Sequence, residues 1–281
     1  MLPYEWHGSG PPLLLLAGLG AKGTSFHPFL DVAAERYRVL TPDLRGSGRA
    51  AALAPGTTLC ELAADVLELL DTLDVGPLPV VGRSMGGMIA QELALLAPDR
   101  VESLVLASTT AHSDAHLTEI FRLLADMSRA GIPAELRHRT SLLWALGRTA
   151  LEERESVRAY LAARVRNDRP RDYAIQALAC AAHDTRDRLA NVMRPSLVLA
   201  GSEDRFMPTR HALTLAHALP RAELRFIPGC GHLAYLEEPE IFAEVVFEFL
   251  ERHHRTTPQS VDVPRTVPLT REAQEAHVRT V

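Results

Sequence analysis

The strongest constraint on this chain is an alternation. Short, mostly continuous apolar runs at 13–17, 38–42, 78–81, 101–107, 196–200 and 223–227 are separated by longer stretches of helical spacing. Uninterrupted apolar runs of this length read as strands buried on both faces, and strand–helix alternation implies a parallel sheet with helices on both sides. The crossover pattern is clearest at 59–73, where Leu59, Leu62, Ala63, Val66, Leu69, Leu70 and Leu73 recur on one helical face, and again at 85–96. Composition is that of a globular chain. Of 281 residues, 47% are apolar and 23% charged, enough to build a core without disulfides or metals.

The alternation stops between residues 109 and 189, where Arg- and Glu-rich helical patterns are broken near Gly131–Pro133 and Arg169–Pro170. The expected organisation is a core of residues 1–108 and 190–255, an inserted helical cap at 109–189 and a polar C-terminal tail at 256–281 containing Pro258, Pro264 and Pro268. A net charge of −5 lacks the basic excess that phosphate neutralisation requires, so nucleic acid is not an expected partner. Mean hydropathy is −0.01 and no membrane partner is expected. Cys60, Cys180 and Cys230 lack metal-ligand spacing and fit free thiols in a reducing cytoplasm; the first dozen residues have no signal-peptide pattern.

The chemistry is carried at strand ends. Gly82-Arg83-Ser84-Met85-Gly86-Gly87 follows one strand and opens an apolar helix, the context a G-x-S-x-G nucleophile elbow requires. Such a turn holds Ser84 clear of the sheet edge, and the Met85 N–H at the helix start points where a carbonyl oxygen becomes negative. Because a serine hydroxyl is a weak nucleophile, a base and an orienting acid are expected further along. Gly201-Ser202-Glu203-Asp204 follows one later strand and Pro228-Gly229-Cys230-Gly231-His232 the next. Asp204, in preference to Glu203, is the expected acid and His232 the base, giving the order Ser, Asp, His along successive strand ends. Cys230 is read as a small packed thiol, and Arg83 as either packing or a contact for an acidic substrate.

With these residues in place, the sequence resembles the α/β-hydrolase family from about residue 4 to residue 254. Leu14-Leu15-Leu16-Ala17-Gly18-Leu19-Gly20 is similar to the family's oxyanion loop, and the resemblance implies the Leu19 N–H as second donor. Asp43-Leu44-Arg45-Gly46-Ser47-Gly48 resembles the scaffold turn after the next strand, and Pro98-Asp99-Arg100-Val101 the turn after the elbow helix. Ala17 departs from the histidine found in many members. The shortened leader, with residues 2–6 as the only remnant of a hairpin, favours seven strands over eight. The implied fold is an α/β-hydrolase sheet of seven or eight mostly parallel strands flanked by helices.

The resemblance implies a serine hydrolase of the carboxylesterase or enol-lactone hydrolase branch, acting on a small-molecule ester or lactone through an acyl-enzyme, with no cofactor and no metal. Ser84 in place of a carboxylate disfavours haloalkane dehalogenase and epoxide hydrolase chemistry. Thioesterase, C–C bond hydrolase, metal-free haloperoxidase, and cyclase or acyltransferase activities share the fold, and a ligand-binding receptor is the non-enzymatic alternative. A formal G-x-G-x-x-G at Gly18, Gly20 and Gly23, with Asp43 beyond the next strand, offers a dinucleotide-dependent oxidoreductase instead. Candidate pocket residues are Trp144, Phe206 and Leu233, with Phe121, Leu123, Leu124, Leu142, Leu143 and Leu146 available to floor an apolar cavity. A monomer or homodimer is expected.

Overall fold

A computed structural model describes residues 1–152 and 169–253. The expected tail at 256–281 and the cap stretch 153–168 lie outside the described residues. Seven strands, β1 (Tyr4–His7), β2 (Pro12–Leu16), β3 (Arg38–Pro42), β4 (Leu78–Arg83), β5 (Val101–Ala107), β6 (Ser196–Gly201) and β7 (Ala222–Ile227), form one sheet. The spatial order is β1-β3-β2-β4-β5-β6-β7, and only β1 is antiparallel to its neighbour. The leader is a strand two residues later than expected, pairing Tyr4 with Pro42 and His7 with Val39.

Among the described residues, the α-helices are α1 (Phe29–Ala34), α2 (Leu59–Thr72), α3 (Met85–Leu96), α4 (Ala115–Arg129), α5 (Ala134–Ala145), α6 (Arg148–Glu152), α7 (Pro170–Ala181), α8 (Thr209–Ala218), α9 (Ala234–Glu237) and α10 (Pro239–His253). Strand alternation explains how a run of leucines serves two faces. Leu14 and Leu16 join Leu40, Val80, Leu104 and Val198 in a cluster with α2 and α3, whereas Leu13 and Leu15 join Val39, Val81, Val105 and Leu197 in a cluster with α1 and α10. Helix α2 starts where Thr58 and Glu61 form a reciprocal capping box: Glu61 N–H donates to Thr58 Oγ1 at 3.2 Å and Thr58 N–H to Glu61 Oε2 at 2.7 Å.

Helices α4 to α7 fall between β5 and β6, and α4 packs along α7. The two ends of this segment meet. Ser113 N–H donates to the His183 carbonyl at 3.0 Å and Thr185 N–H to the Ala111 carbonyl at 2.8 Å. The buried Gln91 of α3 bonds both ends, donating to the Thr110 carbonyl and accepting from Thr185 Oγ1. Strand order reverses between β2 and β4, and the crevice outside the carboxyl ends of strands at such a switch point is where ligands bind in open α/β sheets. Among the described residues, no helix is long and apolar enough to cross a membrane.

Candidate active site

Ser84 sits between β4 and α3 with φ 55° and ψ −122°, a left-handed backbone that a residue with a β-carbon disfavours. Four hydrogen bonds hold it there. Its N–H donates to the Ala107 carbonyl at 3.0 Å; its carbonyl accepts from Gly87 N–H at 2.9 Å, Met88 N–H at 3.1 Å and Thr109 Oγ1 at 2.8 Å. Close approach dictates the glycines: a β-carbon on Gly86 would collide with the Leu16 carbonyl, and one on Gly82 with the Gly86 carbonyl.

The loop at 18–23 lies beside this turn. Gly20 N–H donates to Gln176 Oε1 and Gly23 N–H to Asp43 Oδ1, both at 2.9 Å. Gln176 Nε2 donates in turn to the Arg45 carbonyl and Ser47 Oγ, so one buried amide from α7 joins two loops. The Leu19 and Met85 N–H groups have no acceptor among the described residues. Arg83 is buried, its guanidinium against Gly18 and 4.9 Å above the Tyr235 ring. This geometry disposes of the dinucleotide reading: α1 begins only at Phe29, so the glycines open no helix N-terminus, and Asp43 is consumed by Gly23 N–H and Arg49 N–H.

Adjacent strand ends deliver the other two groups. Asp204 Oδ2 lies 2.8 Å from His232 Nδ1, and Asp204 Oδ1 accepts from Phe206 N–H at 2.9 Å and Met207 N–H at 2.8 Å. A carboxylate so bonded fixes the imidazole with the proton on Nδ1 and leaves Nε2 as the acceptor. Glu203 turns elsewhere, accepting from Arg148 N–H at 2.9 Å. Bonds across the strand ends, from Ser84 to Ala107, Ser108 to Leu199 and Glu203 to Cys230, align the Ser84, Asp204 and His232 positions along one sheet edge. The Ser84 hydroxyl and His232 are not hydrogen-bonded to each other among the described residues; such bonds often tighten only when substrate seats.

Phe206 packs its ring 4.9 Å from that of His232, and Phe121 of α4 stands 5.6 Å from Phe206. Trp144 is partly buried, with its carbonyl accepting from Arg205 N–H at 3.1 Å. Leu233 is buried in the cluster containing Phe26 and Tyr235. Leu124, Leu142 and Leu146 are buried, whereas Leu123 and Leu143 face solvent, 46% and 60% exposed, and cannot floor a cavity within this chain. Burial, then neighbouring carboxylates, push the Cys230 thiol up to about 12, which leaves no thiolate at neutral pH. All three cysteines are free. Among the described residues, no group of three His, Cys, Asp or Glu is arranged to hold a metal.

Sequence reading missed Gln176 and Glu237, whose carboxylate accepts from Gly147, Gly231 and Leu233 N–H groups. Their partners are backbone groups of distant loops, which no local spacing marks.

Comparison with known proteins is consistent with the geometry. The family described as alpha/beta hydrolase fold matches residues 11–239. A relative in Azorhizobium caulinodans whose name provisionally assigns it carbamate hydrolysis, RutD, is 30% identical over 253 residues, covering 88% of this chain and 94% of the relative. A thermophilic esterase from Thermogutta terrifontis superposes with a TM-score of 0.82 at 28% identity, covering 90% of this chain and 94% of the esterase. The enol-lactonase from Burkholderia xenovorans LB400 gives 0.82 at 27% identity, with 89% and 96% covered.

Proposed function

The chain belongs to the α/β-hydrolase fold family, and from that premise we propose that it is a serine hydrolase of small carboxylic esters or lactones, working through an acyl-enzyme. The observation that carries this reading is the buried Asp204–His232 hydrogen bond of 2.8 Å at the same sheet edge as the strained Ser84 turn. Ser84 Oγ attacks the carbonyl carbon as His232 Nε2 takes its proton, and the oxygen that becomes negative is received by the Leu19 and Met85 N–H groups. Each such donor is worth about 3 kcal/mol of barrier. The tetrahedral adduct collapses, and the leaving oxygen takes the proton from His232. Water, deprotonated by His232, then attacks the acyl carbon; collapse frees the acid and returns the proton to Ser84.

Helices α4 to α7 act as a cap, with Phe121 and Phe206 forming an apolar wall beside the imidazole and Trp144 at its margin. The apolar rings of Phe121 and Phe206 suit an uncharged acyl chain in a cytoplasmic, cofactor-free enzyme.

The test is intact-mass analysis of wild type and Ser84→Ala after exposure to a fluorophosphonate, with turnover measured on short chromogenic esters, a lactone and a carbamate. One adduct on wild type only, with ester or lactone turnover, supports the reading. Adduct formation with carbamate turnover alone moves the substrate class, and adduct formation without hydrolysis of any of the three favours acyl transfer or cyclisation. A folded wild-type protein that takes no adduct overturns the reading.

A further inference from the structure

Glu237 closes α9, five residues after His232, and its carboxylate reaches back to the loop that carries the imidazole. Oε1 accepts from Gly231 N–H at 3.1 Å and Leu233 N–H at 3.3 Å; Oε2 accepts from Gly231 N–H at 3.0 Å and Gly147 N–H at 2.8 Å. The N–H of His232 itself donates to the Ala145 carbonyl at 2.6 Å. All three consecutive peptide N–H groups around the imidazole are therefore committed, two to Glu237 and one to the end of α5.

The fit leaves little slack. A β-carbon on Gly231 would collide with the Ala145 carbonyl and one on Gly147 with the Gly229 carbonyl. Two further bonds tie the same segment to the acid loop, from Arg205 N–H to the Trp144 carbonyl and from Arg205 Nη2 to the Leu146 carbonyl. Every hydrogen bond that the Glu237 carboxylate accepts among the described residues comes from a backbone N–H. Burial raises its carboxyl pKa against the opposing pull of the three N–H donors. A partly buried charge whose partners among the described residues are backbone N–H groups is costly to keep for stability alone.

The geometry points to Glu237 as the positioning residue of the His232 loop: its carboxylate clamps the peptides on both sides of the imidazole to Gly147, so the segment between α5 and α6 sets the pitch of the base. This rests on the reading of His232 as general base. A displacement of α5 is transmitted to the imidazole through Ala145 and Gly147, which couples the helices over the site to the proton transfer beneath them.

The experiment compares wild type, Glu237→Gln, Glu237→Met and the exposed control Glu238→Gln. It reads steady-state kinetics on a chromogenic ester, thermal unfolding and the downfield proton resonance of the His232 Nδ1–H. Gln retains one acceptor oxygen and Met none, so kcat is expected to fall about ten-fold in the first and about a hundred-fold in the second. KM should stay within about two-fold of wild type, and the Nδ1–H resonance should broaden or disappear while the protein remains folded. Glu238→Gln should match wild type. Wild-type kcat and an unchanged resonance in Glu237→Gln and Glu237→Met overturn the proposal and leave the Ser84 reading standing. If wild type itself takes no fluorophosphonate and turns over no ester, the hydrolase reading fails and the resonance decides alone: its loss on substitution upholds the clamp, its persistence rejects it. Should Glu237→Met not fold, the near-isosteric Glu237→Gln decides by the same criteria.

Discussion

Gln176 Oε1 accepts from the N–H of Gly20 at 2.9 Å, joining helix α7 to a loop 156 residues earlier in the chain. The same amide donates to the Arg45 carbonyl and Ser47 Oγ, so every polar atom of a fully buried side chain is used. The consequence is a loop held by a helix of the segment between β5 and β6, with the Leu19 N–H beside the fixed Gly20. Gln176→Leu removes all three bonds at similar volume. We expect kcat to fall by about ten-fold or more with little change in fluorophosphonate adduct stoichiometry, read by stopped-flow acylation of the purified variant.

Asp204 and Glu203 adjoin in sequence but face different partners. Asp204→Asn should cost about four orders of magnitude in kcat, because an amide in that place favours the wrong imidazole tautomer. Glu203→Gln should stay within about five-fold of wild type, an effect of loop position only. Comparable losses in the two variants, measured on one ester, would undo the choice of Asp204 as the acid.

The φ of 55° at Ser84 makes a stability prediction independent of turnover. Ser84→Gly should unfold at higher temperature than Ser84→Ala, by the equivalent of about 1 kcal/mol, since glycine adopts this backbone without a β-carbon penalty. Both variants should be inactive and unlabelled by fluorophosphonate. Equal midpoints in calorimetry would mean that the turn relaxes when the hydroxyl is removed.

His183 is buried, and burial lowers its pKa to about 4 from an ordinary 6.5. Between those values the unfolded chain takes up a proton that the folded chain refuses. Stability is therefore complete above about pH 6.5 and declines on acidification towards pH 4, by up to about 3 kcal/mol from this residue. His183→Gln should flatten the slope of urea-unfolding free energy against pH in that window. An identical slope in wild type and variant would show that the imidazole is protonated in the folded protein.

Cys60 is exposed, while Cys180 and Cys230 are buried with their thiol pKa values raised by desolvation. Native protein should take up one equivalent of iodoacetamide quickly and the other two only after denaturation, with whatever turnover of the chromogenic ester is measured unaffected by the first. Activity loss that parallels a single rapid modification at Cys230 would return that thiol to the chemistry.

Much of this was legible in the chain because the signals are local. A strand-sized apolar run next to a helical pattern marks the Ser84 turn, and glycine clusters after two later runs mark the Asp204 and His232 loops. The strand boundaries moved by one or two residues, as at β2 and β4, because backbone pairing to neighbouring strands decides where a strand stops. Leu123 and Leu143 failed as cavity residues because apolar identity alone does not say which side of a helix packs.

The sequence by itself determined the alternation that makes the parallel sheet, the glycines that let β4 and α3 approach, and the Ser, Asp, His order of strand ends. Only tertiary structure decided that Asp43 is spent on a loop N–H, that Glu203 turns to the Arg148 N–H, and that Gln176 and Glu237 hold the loops on either side of the site. The reason is physical. Backbone period and turn sterics act between neighbours a few residues apart, whereas a hydrogen bond from a buried carboxylate or amide to a backbone N–H can be made to any peptide that folding brings within about 3 Å.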